Sequence, residues 1–136
     1  MRTKSLVWIV RPVASGPEVL LLERPERRGA GEHPVTGKAD PGETAEECAE
    51  REAFEETGLR GKLVDLQFSH RFQGKRGEVE EHAFLLRVPP GAEPTLSDEH
   101  VGYRWAPEAE ARSAILLPAH ARTLDLALQA FQPRPQ

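Results

Sequence analysis

The stretch from Gly37 to Leu59 constrains this chain more than any other. It opens with Gly37 and Pro41-Gly42, passes through Thr44, and then runs about a dozen residues without glycine or proline up to Thr57-Gly58. A threonine hydroxyl can accept from the free amides of a first helical turn, and glycine adopts the left-handed conformation that ends a helix at no steric cost. The spacing therefore predicts a loop, a helix over roughly 44–57 and a stop. Successive helical residues rotate by about 100°, which gathers Glu52, Glu55 and Glu56 on one side, bordered by Ala45, Ala49 and Ala53. Small side chains let a helix lie close to a sheet. Carboxylates beside them repel one another and resist desolvation unless protons or cations compensate. An oxygen-only ligand set selects hard divalent ions, magnesium or manganese. Taken alone, the three glutamates fit a solvated acidic face balanced by Arg51 better than a metal site.

The rest of the chain is built from short β-forming runs. Leu6–Val13, a turn at Ala14-Ser15-Gly16-Pro17 and Val19–Leu22 predict a hairpin, and Arg27–Gly31 has loop composition. A short extended piece near Pro34–Thr36 leads into the central stretch. Beyond Gly58, Leu63–Phe72 and Val79–Val88 read as strands joined through the polar Gln73–Gly77, and Val101–Trp105 as a further short strand. Pro107-Glu108 opens a helical turn. Leu124, Leu128 and Phe131 recur at helical spacing, so Pro118–Phe131 is an amphipathic helix, with a disordered proline-rich tail after it. This order predicts an α+β fold, a mixed sheet covered by helices, in a single domain spanning residues 1–136.

At 136 residues a chain buries about 70% of the surface its unfolded form exposes. The net charge of -4 argues against binding a nucleic-acid polymer, which calls for a basic excess. An anionic ligand must then be met by local cations or by metal. The single cysteine, Cys48, cannot form an internal disulfide, and the apolar run Leu6–Val10 is too short for a signal-peptide core. No apolar run approaches the roughly 20 residues that cross a bilayer. A cytoplasmic protein with no membrane partner is expected.

The full spacing of the central stretch carries more weight than its charge. Gly37, five residues, Glu43, seven residues, Arg51-Glu52, apolar Ala53, Phe54, Glu55-Glu56, Thr57, Gly58 and apolar Leu59 stand in that order. This pattern resembles the signature of the Nudix hydrolase family. The resemblance implies an αβα sandwich that hydrolyses a pyrophosphate bond in a nucleoside diphosphate linked to another group, working as a monomer or homodimer. It also implies that Glu52, Glu55, Glu56 and the Gly37 carbonyl bind divalent cations, and that Arg51 and Glu43 fix loop to helix. Glu99 is the implied ligand from outside the helix, and Glu52 and Glu99 are the two candidates for the general base. The chemistry would be in-line attack of water on phosphorus, with metal charge offsetting the phosphates and a carboxylate taking the proton.

Residues outside the motif bear on the substrate. Val35-Thr36-Gly37, His70-Arg71-Phe72, Asp98-Glu99-His100 and Tyr103-Arg104-Trp105 are together similar to the dihydroneopterin triphosphate pyrophosphohydrolases. Glu-His followed by Tyr-x-Trp also occurs in dinucleoside polyphosphate hydrolases, which are the alternative, and a nucleotide-binding Nudix-like domain without catalysis is the alternative of another class. A short segment before His70 shortens a region that would shape a pterin pocket, leaving other nucleoside triphosphates open. Arg24, Lys38 and Arg71 are expected to meet substrate phosphates, with a surface ion pair as the other reading of each arginine. Lys75 and Arg76 are loop cations with weaker claims. Trp8 is expected in the core, Cys48 beside the alanine stripe, His33 and His70 in solvent, and Glu81 on a solvated strand face.

Overall fold

The computed structural model describes residues 1–132; the proline-rich tail, for which the sequence predicts disorder, lies beyond the described residues after Gln132. The elements are β1 (Arg2–Val13), β2 (Gly16–Arg24), β3 (Gly31–His33), β4 (Val35–Lys38), α1 (Ala45–Thr57), β5 (Lys62–Gly74), β6 (Gly77–Arg87), β7 (Gly102–Pro107), α2 (Glu108–Ala114) and α3 (Pro118–Phe131). A 3-10 turn, Glu26–Arg28, lies between β2 and β3.

β1 organises the sheet because Ser5 to Val10 are buried without interruption, as a central strand covered on both faces requires. One edge pairs in parallel with β6, from Arg2 opposite Val79 to Val10 opposite Arg87. The other edge pairs antiparallel with β4, Lys4 opposite Lys38, and further along with β2, Val10 opposite Val19. The seven strands run β3-β2-β1-β6-β5, with β4 on β1 and β7 on β2. The result is the mixed sheet of an α+β sandwich.

Alternate residues of the strands fill two layers. Leu6, Trp8 and Val10 join Leu21 and Leu85 beneath α2 and α3, which contribute Ala111, Leu124, Leu128 and Phe131. Val7 and Ile9 join Leu20, Leu22, Phe84 and Leu86 beneath Ala49 and Ala53 of α1. Each large apolar side chain so buried stabilises the fold by about 1.5–3 kcal/mol. Trp8 is in the core as expected, with its indole N–H donating to Thr123 Oγ1 at 2.9 Å.

Two local features depart from expectation. The region read as loop at 27–31 contains the 3-10 turn and leads into β3, whose Gly31–His33 pairs with Leu22–Arg24. Glu81 is buried rather than solvated, because it shares the inward side of β6 with Val79 and Ala83, and His70 Nε2 meets its carboxylate at 2.9 Å.

Replacing Thr123 by Val keeps the volume but strands the Trp8 indole N–H in the core. A loss of about 1–3 kcal/mol is expected, read by urea unfolding, with Thr123→Ser restoring most of it.

Candidate active site

The N-terminus of α1 is held by a capping box: Thr44 Oγ1 accepts from the Glu47 amide at 3.0 Å, and the Glu47 carboxylate accepts from the Thr44 amide at 2.9 Å. Gly58 ends the helix in the left-handed conformation, φ 69°. Between these ends Ala49 and Ala53 press the helix onto the sheet with no exposed surface. That close approach carries the next residues of the same face to the sheet's edge. Glu52 is half-buried there and Glu56 is 4% exposed.

Arg51 ties the loop to this helix. Its Nε and Nη2 donate to the two oxygens of Glu43 at 2.7 and 2.9 Å, Nη1 donates to Glu52 at 2.7 Å and to Glu55 at 3.1 Å, and Nη2 also donates to the Lys38 carbonyl at 2.9 Å. The guanidinium and the Asp40 amide hold the Glu43 carboxyl down at about 2. Glu43 and the other carboxylates hold the Arg51 guanidinium firmly charged. Gly37 faces Glu52 so closely that a Cβ at this position would overlap the glutamate carboxylate.

The segment after β6 supplies the opposite wall. Thr95 and Ser97 amides donate to the Thr57 and Glu56 carbonyls at 2.8 and 3.2 Å, so the chain that carries Glu99 and His100 is strapped to the end of α1. His100 Nε2 lies 3.5 Å from Glu56 Oε1, and its ring lies tilted against His33 with centroids 5.0 Å apart. Burial first, and the neighbouring Glu52 second, push the Glu56 carboxyl up to about 9. Burial and then Arg24 push His33 down to about 3; its Nδ1 donates to the Pro34 carbonyl, which leaves Nε2 a bare acceptor. His33 Nε2, His100 Nδ1 and Glu56 Oε2 are buried polar atoms without a partner.

These groups open on one cleft of about 800 Å³. It brings together Gly37, Glu52, Glu56, Glu99, Arg24 and Lys38 of the residues singled out from sequence. Glu55 lies on the outer side of α1, more than half exposed and held by Arg51. Arg71 is also elsewhere: it points out from β5 and pairs with Glu80 at 3.0 Å. His33 is buried rather than in solvent because the strapped segment sets His100 against it, and half-buried His70 sits on Glu81. Arg27 and Arg28, which loop composition did not mark, line the cleft, and Arg28 reaches to 3.8 Å from Glu99. The cation run of Arg27-Arg28 between glycines and a proline was the available signal.

A family model described as NUDIX domain matches residues 3–127. The chain belongs to the Nudix hydrolase family. The family generally works with divalent cations. A curated relative, an octanoyltransferase of Myxococcus xanthus, is 42% identical over 113 residues, which is 77% of this chain and 30% of that protein. The Nudix chain thus spans under a third of that relative. Among solved structures, an Ap4A hydrolase of C. elegans in a binary complex superposes with a TM-score of 0.81 at 22% identity, covering 96% of this chain and 97% of its own. The dihydroneopterin triphosphate pyrophosphohydrolase of E. coli follows at 0.79 and 22%, covering 94% and 95%. Likeness at this identity shows the shared fold. No helix among the described residues is long and apolar enough to cross a membrane.

The cleft of this Nudix hydrolase fits a hard divalent cation. Its donors, the Glu52, Glu56 and Glu99 carboxylates and the Gly37 carbonyl, are all oxygen, and Glu56 Oε2 is an orphaned buried acceptor. Among the described residues no three acidic, His or Cys side chains are drawn together at ligating distance. A cation there must compete with Arg51 for Glu52 and displace the Glu56 proton.

The raised Glu56 value sets a pH dependence. Below about 6.5 the depressed His33 offsets the Glu56 effect, because the unfolded chain then holds a histidine proton that the folded chain lacks. From about pH 7 to about 9 the folded metal-free chain keeps the Glu56 proton that the unfolded chain, at an ordinary 4.5, has lost, so stability falls as pH rises, by up to about 1.4 kcal/mol per pH unit. Thermal unfolding of metal-free protein across that range should show the decline. Glu56→Gln should flatten it and raise the midpoint at pH 8. Gly37→Ala, which must push Glu52 aside, should retain the fold and lower turnover by at least roughly tenfold, the scale of a misplaced ligand, measured at saturating metal.

Proposed function

We propose that this Nudix hydrolase cleaves a pyrophosphate bond in a nucleoside triphosphate-type substrate, dihydroneopterin triphosphate or a related nucleoside triphosphate, with magnesium as the working ion and manganese able to replace it. The observation that carries this reading is the meeting, in one cleft, of an acidic floor at Glu52 and Glu56 with a rim of cations that includes Arg24, Arg27, Lys38 and Lys75. None of these four cations has a carboxylate partner among the described residues. A phosphoric anhydride needs both halves, carboxylates for the ion and cations for the oxygens the ion leaves bare.

In this reading Glu52, Glu56 and the Gly37 carbonyl hold the ion, Glu99 reaches it from the strapped segment, and Glu55 joins from the outer side of α1. A bound divalent cation offsets phosphate charge and lowers the pKa of a water. The chain's own residues do the remaining work. Arg24 and Lys38 hold non-bridging oxygens, and Glu52 or Glu99 takes the proton of the attacking water. Arg51 and Glu43 position Glu52 and the loop without touching substrate. Arg71, committed to Glu80, has no part in it. A neighbouring cavity of about 280 Å³ shares Arg24 and His33 with the cleft and is walled by Gly29–Gly31, Leu116, Leu117 and His120. It suits the ring of the substrate. The lone buried thiol, Cys48, accords with a reducing, cytoplasmic compartment.

The deciding experiment incubates the protein with magnesium and a panel of nucleoside triphosphates, dihydroneopterin triphosphate, diadenosine polyphosphates, nucleotide sugars and ADP-ribose, and identifies the products. Release of pyrophosphate from a triphosphate is expected, and Glu56→Gln should lose at least about 100-fold of the rate, beyond the roughly 10–100-fold that outer-shell changes cost. Absence of any phosphate-containing product, with magnesium or manganese, would assign the chain to nucleotide binding without cleavage.

A further inference from the structure

At the end of the cleft away from His33 and His120 lies a second cavity of about 430 Å³, walled by the start of β1, the end of β4 and the β5–β6 hairpin. It shares Lys4, Lys38 and Lys75 with the cleft and adds Arg2, Arg76 and Phe72. No acidic side chain lines it. None of its five cations forms an ion pair with a carboxylate among the described residues. Arg71, Arg104 and Arg112 on other faces are paired, and unpaired cations such as Lys62 and Arg122 lie apart from this cavity. In a chain of net charge -4, carboxylates are plentiful, so five cations left together around one cavity carry repulsion that an anion would relieve.

The local structure points the same way. Gly74 pairs with Gly77 across a two-residue turn whose tip is Lys75-Arg76. Two-residue hairpins favour short residues such as Asn-Gly, and here the tip carries two long cations over the cavity. Phe72, opposite Val79 in the same hairpin, leaves an aromatic side chain 38% exposed on the wall.

We propose that this annex binds the phosphate groups of the substrate that lie beyond the bond being cut, so that the enzyme selects a polyphosphate chain of three or more phosphates over a diphosphate. The proposal rests on the pyrophosphohydrolase reading for the direction of the chain across the cleft. Its test is a binding measurement that needs no turnover.

Isothermal titration of the full chain without added metal would compare inorganic pyrophosphate with inorganic tripolyphosphate, for the natural protein, for Arg2→Ala/Arg76→Ala, and for Arg112→Ala as a charge control. Arg2 and Arg76 line the annex and not the cleft. Tripolyphosphate should bind at least roughly tenfold tighter than pyrophosphate, the scale of one added charge-assisted contact. The double variant should lose that advantage with an unchanged circular dichroism spectrum, and Arg112→Ala should keep it. Equal affinity for the two anions in the natural protein would overturn the annex, as would an equal loss for both anions in the double variant or the same loss in Arg112→Ala. A chain that hydrolyses nothing yet shows the length preference would sink the pyrophosphohydrolase reading and leave the anion site standing.

Discussion

Arg51 donates to Glu43, Glu52, Glu55 and the Lys38 carbonyl at once, and the geometry of the cleft depends on that one guanidinium. The loop from Ala39 to Glu43 has no helix or strand of its own between β4 and α1, so beyond the Ala39 amide's bond to the Thr3 carbonyl its placement depends on side chains. Bidentate capture of Glu43 fixes the loop in position and in rotation, which a point charge such as lysine would not do. The same guanidinium offsets the repulsion that Glu52 and Glu55 would otherwise feel. Loop, helix and two glutamates therefore stand or fall as a unit.

What Arg51 does not reach is Glu56. Three glutamates on one arc of α1 meet three environments. Glu55 is out in solvent on the guanidinium, Glu52 is half-buried between guanidinium and cleft, and Glu56 is buried with one oxygen unpartnered. Ala49 and Ala53 cause this division, since larger side chains would lift the helix off the sheet and hydrate all three. A buried neutral carboxyl is costly without a partner, and it is the group most improved by an ion that replaces its proton.

Much of this was legible in the chain because the signals are local. Thr44 and Gly58 mark the ends of α1 through backbone chemistry that needs no distant contact, and the apolar run of β1 marks a buried strand by itself, though not its central place in the sheet. The bond between Arg51 and Glu43 was legible only through the resemblance to the Nudix signature, which implied it. The fates of Glu55 and Glu56 were not legible, because a modest rotation of the helix on the sheet exchanges buried for exposed. Arg71 sits on a strand where a one-residue alternation decides between cleft and Glu80, and β5 carries a register irregularity between Asp65 and Ser69. His33 and His100 are distant in sequence and meet only because Thr95 and Ser97 strap their segment to α1. Arg27 and Arg28 come over the cleft through the pairing of β2 with β3, a tertiary outcome that loop composition cannot carry.

The parallel pairing of β1 with β6 has a consequence for how the chain reaches this form. The first strand cannot gain its partner on that edge until Gly77–Arg87 exists, and loop closure over such a separation costs entropy before any contact repays it. Chains dominated by distant pairings fold slowly. During synthesis the apolar residues Leu6 to Val10 must wait, with β2 and β4 as their only earlier neighbours on the other edge. The basic mouth formed by Arg2, Lys4 and Lys75 is complete only once the β5–β6 hairpin has joined β1.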